Sequence, residues 1–299
     1  MILDYRFDPL PIWAARAPGW PALQPDINDS LLEETAVAHL QLADGVLNYR
    51  LDGPEHAPVL VLSNSLGTDL HMWDTQVAAW STHFRVLRYD TRGHGGSLVT
   101  EGPYSIEQLG RDVLALLDAL DIGQAHFCGL SMGGLIGQWL GINAGTRLKR
   151  LVVCNTAARI GTPETWNPRI EMVLHEGAAA MQGLRDASIE RWFTPAFASM
   201  KPEQVTRITD MLAATSPKGY AANCGAVRDA DFRDQLGEIK VPLLVVAGSA
   251  DAVTPPSGGL FIQERVAGAE YAEFQAAHLS NVEVGEPFSR RVADFLLAR

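Results

Sequence analysis

The segment PVLVLSN, at positions 58–64, opens on an unbroken apolar run. A strand with one wet face alternates apolar and polar residues, so a continuous run is expected where both faces are covered. FRVLRYD (84–90), QAHFCGL (124–130), KRLVVCNT (149–156) and VPLLVVAG (241–248) also read as strands. Between them stand stretches with helical spacing. One lies near 70–81. SIEQLGRDVLALLDAL (105–120) carries Ser105 as N-cap with Gln108 three residues on, a capping box, and GGLIGQWLGINA (133–144) reads as a buried helix. Strands that alternate with helices build a mostly parallel sheet covered by helices on both faces, so the fold class is α/β.

Other segments fill in this plan. VAHLQLAD and VLNYRLDG alternate, and Asp44-Gly45 between them predicts a hairpin. From about 160 to 230 the rhythm breaks into helices: EMVLHEGAAAMQGL, SIERWFTPAF, PEQVTRITDMLAA and YAANCGAV. The alternation then resumes with VPLLVVAG, a helix near 257–266, the strand AEYAEFQ and a last helix from Pro287. The expected organisation is a core of residues 36–159 and 231–299, with a helical cap of 160–230 over the sheet's C-terminal edge. Ligands of open α/β sheets bind at that edge. Residues 1–35 stand apart. Pro9, Pro11, Pro18, Pro21 and Pro25 oppose both helix and central strand, so a poorly ordered arm is expected, although Trp13 and Trp20 could dock it on a neighbour.

Composition narrows the function classes. The 299 residues carry a formal charge of -11 and no Lys/Arg run, which argues against nucleic acid as a partner. Asp4, Arg6 and Asp8 interrupt any secretory apolar region, and no apolar run approaches a membrane span, so a cytoplasmic location is expected. Cys128, Cys154 and Cys224 lack metal-ligand spacing and read as small buried hydrophobes rather than a disulfide framework. No metal and no organic cofactor is expected. The oligomeric state leaves no signal in the sequence.

Gly129-Leu130-Ser131-Met132-Gly133 matches G-x-S-x-G between a strand and a helix, the context this motif requires. The turn is sharp, so small residues must flank the serine, whose hydroxyl then projects at the N-terminus of a helix that favours negative charge. A serine needs a base. His278, in AAHLSN, follows the last strand, and Asp251, in GSADAVTP, follows VPLLVVAG, which gives the chain order serine, acid, histidine. An oxyanion hole needs two backbone N–H groups. Met132 follows the serine and supplies one. The loop Asn64-Ser65-Leu66-Gly67-Thr68 supplies the other through Leu66, with Asn64-Ser65 standing where many such enzymes have His-Gly. His94, among the glycines of DTRGHGGS, reads as part of a tight turn that an Arg92–Asp90 pair would brace.

With these residues assembled, the chain resembles the 3-oxoadipate enol-lactonases of the α/β-hydrolase superfamily over about residues 36–299. The carriers are NSLGTDLHMWD, YDTRGHGGS, GLSMGGLIGQWLG, CNTAARIGTPETW, ERWFTPAF, AVRDADFR, VVAGSADAVTPP and AAHLSNVE. The resemblance implies the α/β-hydrolase fold and hydrolysis of a small anionic lactone to 3-oxoadipate, in the β-ketoadipate pathway of aromatic catabolism. A general carboxylesterase, a carbon–carbon bond hydrolase and a ligand-binding receptor on the same scaffold remain as alternatives. Epoxide hydrolases and haloalkane dehalogenases place an aspartate where this chain has Ser131. An anionic substrate in an acidic protein needs a local cation, and arginine holds a carboxylate well. Arg159, just beyond KRLVVCNT, is the first choice, with Arg169 and Arg228 at the cap's two ends as the second. Trp139 and Trp166 are expected as walls for the ring.

Overall fold

The structure, a computed structural model, describes residues 37–298. The proline-rich stretch of residues 1–35 lies outside the described residues. Strands β1 (Ala38–Leu42) and β2 (Gly45–Asp52) form the expected hairpin, but its turn is Ala43-Asp44, and Gly45 opens β2 opposite Leu42. The shift has a local cause. Gly45 has φ 150° and lies against Leu98, so the residue that tolerates this backbone takes the first paired position.

The remaining strands are β3 (Val59–Ser63), β4 (Arg85–Tyr89), β5 (Ala125–Leu130), β6 (Leu148–Cys154), β7 (Leu243–Gly248) and β8 (Glu270–Phe274). Their order across one eight-stranded sheet is β1-β2-β4-β3-β5-β6-β7-β8. The pairs from β4 onward are parallel, while β1–β2 and β2–β4 are antiparallel. β5 and β7 are buried at every residue, as a central strand covered on both faces must be. The strand order reverses its direction of growth next to β3, so the loops after β3 and β5 splay apart at the sheet's C-terminal edge. That is where a crevice forms.

Helices α1 (Asp74–Trp80), α2 (Ile106–Ala119), α3 (Met132–Asn143), α9 (Pro256–Arg265), α10 (Ser280–Val284) and α11 (Glu286–Leu297) belong to the sheet-covering layers. Ser105 caps α2 by accepting from the Gln108 N–H. Trp73, Trp80 and Phe288 cluster with ring centroids 6.1–6.5 Å apart and join α1 to α11 in the core.

Between β6 and β7 the chain forms α4 (Pro163–Glu176), α5 (Ala178–Trp192), α6 (Pro195–Met200), α7 (Pro202–Ala214) and α8 (Pro217–Asp229) with no strand among them. Two boundaries differ from the sequence reading. EMVLHEGAAAMQGL is divided at Gly177, which takes φ 59° and so ends α4. SIERWFTPAF is divided after Trp192. Pro195 drives Thr194 into extended backbone, and the Thr194 hydroxyl then caps α6. Among the described residues no helix is long and apolar enough to cross a membrane.

Candidate active site

Ser131 stands between β5 and α3 with φ 58° and ψ -112°, outside the regions that side-chain-bearing residues prefer. Such a backbone costs on the order of 1–3 kcal/mol and persists only where its surroundings over-determine it. Here they do. The Ser131 N–H donates to the Cys154 carbonyl of β6 (2.9 Å), and the Gly133 N–H donates to the Asn64 carbonyl beyond β3 (3.1 Å). A Cβ on Gly129 would collide with the Gly133 carbonyl, and one on Gly133 with the Ser63 carbonyl. Glycine at both ends therefore lets strand and helix converge.

His278 and Asp251 come from the loops after β8 and β7. His278 Nε2 lies 2.9 Å from Ser131 Oγ, and His278 Nδ1 lies 2.9 Å from Asp251 Oδ2. All three side chains are buried. Asp251 also accepts from the Val253 and Thr254 amides (2.8 and 2.9 Å), the Thr254 hydroxyl (2.8 Å) and the Asn155 side-chain amide (3.1 Å). Burial opposes ionisation of this carboxyl. The neighbouring His278 and the donated hydrogen bonds outweigh burial and hold it at about 2.

Leu66 and Met132 flank the same serine. Met132 is the first residue of α3, so its N–H has no partner within the helix. Among the described residues neither the Leu66 nor the Met132 N–H donates to a protein acceptor. The loop that carries Leu66 is braced from three sides. Asn64 donates to the Tyr89 carbonyl (2.8 Å) and accepts from the Trp73 indole (3.1 Å), and the Gly67 N–H donates to His94 Nε2 (2.9 Å). Asn64 and Trp73 of NSLGTDLHMWD thus form one unit. His94 is buried, and burial lowers its pKa to about 4, so it is a neutral acceptor. The expected Arg92–Asp90 brace is not the one formed. Arg92 makes a bidentate pair with Asp112 (2.6 and 2.7 Å) and reaches Asp44, whereas Asp90 accepts from the Leu70 and Gly96 amides and from Asn48.

Ser131 and His278 open into a small cavity of about 40 Å³ whose other walls include Leu66, Trp166, Arg169, Arg191, Trp192 and Tyr220. Trp166 and Arg169, both singled out in the sequence, line it together, with the guanidinium 5.1 Å from the ring centroid. Three other expected contacts are corrected. Trp139 lies two turns along α3 from Ser131 and packs over Gly110 of α2, away from the cavity. Arg159 turns toward Asp231 (3.7 Å) and Arg228 toward Asp229 and Asn167, and neither lines the cavity. Two residues had been overlooked. Arg191 lines the cavity, and it stands three residues after Ser188 and seven after Leu184, both buried, so it shares the inward face of α5. Asn155 follows β6 at the sheet's C-terminal edge, which is the signal that could have singled it out.

Comparison with known proteins decides the family. The model of the alpha/beta hydrolase fold family matches residues 58–207. The chain belongs to the α/β-hydrolase family. This hydrolase is 44% identical to 3-oxoadipate enol-lactonase 2 of Acinetobacter baylyi over 253 residues, 85% of this chain and 94% of that protein. The crystal structure of the enol-lactonase from Burkholderia xenovorans superposes on the hydrolase with a TM-score of 0.85 at 49% identity, covering 87% of this chain and 100% of that one. The crystal structure of a hydrolase from Pseudomonas aeruginosa gives 0.85 at 47% identity, covering 88% and 98%. The fold class and family resemblance read from the sequence both agree with these likenesses.

Proposed function

We propose that this hydrolase opens the ring of 3-oxoadipate enol-lactone to give 3-oxoadipate, as a step of aromatic catabolism by the β-ketoadipate pathway. The observation that carries this reading is the continuous relay from Asp251 through His278 to Ser131, facing a cavity lined by Arg169 and Arg191. Its enol-lactonase relatives supply the substrate class.

Ser131 Oγ attacks the lactone carbonyl while His278 Nε2 takes the hydroxyl proton. Asp251 holds Nδ1 and stabilises the imidazolium that results. The developing oxyanion takes the Leu66 and Met132 N–H groups, which have no other acceptor among the described residues. The ring C–O bond breaks and releases an enol oxygen, a better leaving group than an alkoxide, which takes the proton from His278 and later tautomerises to the ketone. Water, deprotonated by His278, then cleaves the acyl-enzyme. Arg169 holds the substrate's carboxylate, and Trp166 supplies an apolar wall. Residues 160–230 act as the cap.

The test is to mix purified protein with the enol-lactone and follow the loss of its absorbance. Rapid, saturable loss is expected. Hydrolysis of simple neutral esters with no turnover of the enol-lactone would overturn the substrate assignment and leave a general carboxylesterase.

A further inference from the structure

Most arginines of the described chain face a carboxylate. Arg50, Arg88, Arg92, Arg185 and Arg233 all stand within ion-pair distance of an aspartate. Arg169 and Arg191 are different. Both line the cavity beside Ser131 and His278, both are partly buried, and neither pairs with an acid among the described residues. Placing two like charges in one small cavity without a counter-charge is unfavourable, because each guanidinium loses water and repels the other. Desolvation and the neighbouring Arg169 disfavour the charge on Arg191 and outweigh Tyr220 and Asp251, which favour it, and Asp251 is already engaged by His278. A protein of net charge -11 has no shortage of acids to neutralise such a pair. The missing counter-charge is therefore expected to arrive with the ligand.

The two cations share Tyr220 as a neighbour, but their other surroundings differ. Arg169 lies over the Trp166 ring on α4. Arg191 immediately precedes Trp192, whose carbonyl accepts from the Leu279 N–H next to His278. Arg191 therefore stands on the helix end bonded to the histidine's loop, and its guanidinium is within electrostatic reach of Asp251 of the triad.

We propose that Arg169 and Arg191 together form a site for a dicarboxylate, Arg169 holding the carboxylate present in the substrate and Arg191 receiving the one that hydrolysis creates. This inference rests on the reading above, in that it takes the cavity as the lactone's site. The charge balance is direct. The substrate brings one negative charge. In the last step a water oxygen bonds to the acyl carbon, the bond from that carbon to Ser131 Oγ breaks, and His278 returns a proton to Oγ. The acid so formed loses its proton to solvent at neutral pH, so the product carries two negative charges. Arg191 is a specificity-determining residue for the product side of the reaction. It raises affinity for the dianion more than for the monoanion.

Calorimetric titration with two non-reacting probes of equal length tests this at neutral pH. Adipate has two carboxylates and hexanoate has one. Adipate is expected to bind at least tenfold more tightly than hexanoate to the unaltered protein. Arg191→Gln should remove most of that difference, weakening adipate and leaving hexanoate nearly unchanged. Arg191→Lys should restore part of it. Arg169→Gln should weaken both ligands. Equal affinity for the two acids, or equal weakening of both by Arg191→Gln, would overturn the proposal. Because these are binding measurements, the result stands apart from whether the enol-lactone is turned over.

Discussion

Asn155 Nδ2 lies 3.1 Å from Asp251 Oδ2, and the same amide lies 3.2 Å from the Ala277 carbonyl. One side chain therefore ties the acid after β7 to the loop that presents His278. The Ser280 hydroxyl donates to its oxygen, so the whole amide is used. Asn155 adopts φ 45°, a conformation that asparagine tolerates better than most residues.

Asn155→Ala leaves the buried Ala277 carbonyl and Ser280 hydroxyl short of partners, at roughly 1–3 kcal/mol per group. If part of that loss appears as misplacement of His278, kcat should fall by roughly tenfold to a hundredfold, at about 1.4 kcal/mol per factor of ten. Steady-state kinetics on the enol-lactone check this. An unaltered kcat would show that the histidine is held in place without Asn155.

Ser131→Ala should lower kcat by a factor on the order of 10⁶. Among the described residues the Ser131 hydroxyl bonds only to His278, so the variant should melt close to the parent temperature. Substantial activity in a folded variant would remove Ser131 from the mechanism.

Arg169→Ala should raise KM for the charged lactone by roughly tenfold to a hundredfold, the loss of a charge-assisted contact of ~1.5–3 kcal/mol. The effect on a neutral ester should be smaller. Arg159→Ala and Arg228→Ala serve as controls, because both arginines stand outside the cavity and should leave lactone kinetics unchanged. A rise in KM in the controls alone would move the carboxylate elsewhere.

His94 gives stability a pH dependence whose sign is fixed. Burial lowers its folded pKa to about 4 from the ordinary 6.5. A depressed pKa favours the neutral form on folding, so this contribution is complete above 6.5 and is lost as pH falls from there toward 4. Protonation also removes the acceptor for the Gly67 N–H and so loosens the loop that carries Leu66. Melting temperature should drop over this interval, and His94→Asn should flatten the slope. An equal slope in the variant would place the transition on other groups.

Activity should survive dialysis against a chelator. Among the described residues no group of three or more His, Cys, Asp and Glu side chains could hold a metal ion. Activity that is lost on chelation and regained with a divalent ion would contradict a purely serine-based mechanism.

The features legible in the sequence were those carried by short stretches of chain. Ser131 is marked by two glycines between a strand and a helix, and Asp251 and His278 by their places just after strands. Strands β3 and β7 are marked by unbroken apolar runs, and β1 and β2 by alternation. The contributions of helices α4 to α8 were harder to see, because they depend on which face of each helix turns inward. Arg159 and Arg228 were favoured by nearness along the chain to the sheet edge, yet each is drawn to a nearby aspartate. Arg169 and Arg191 were set instead by helical phase. Trp166, Arg169 and Val173 share one face of α4, as Leu184, Ser188 and Arg191 share one face of α5. The Asn155 bridge joins groups that are 96 and 122 positions away, and no local pattern encodes it.

The helices over the cavity are bonded to the histidine's own loop. The Leu279 N–H donates to the Trp192 carbonyl at the end of α5. Glu283 accepts from both the Ala277 N–H and the Thr194 hydroxyl. Entrance and base therefore share an anchor. Any movement that swings Trp192 and Thr194 outward pulls on the residues either side of His278. The arrangement is an interlock. The aim of the base at the serine and the seating of these helices are thus set by the same few bonds.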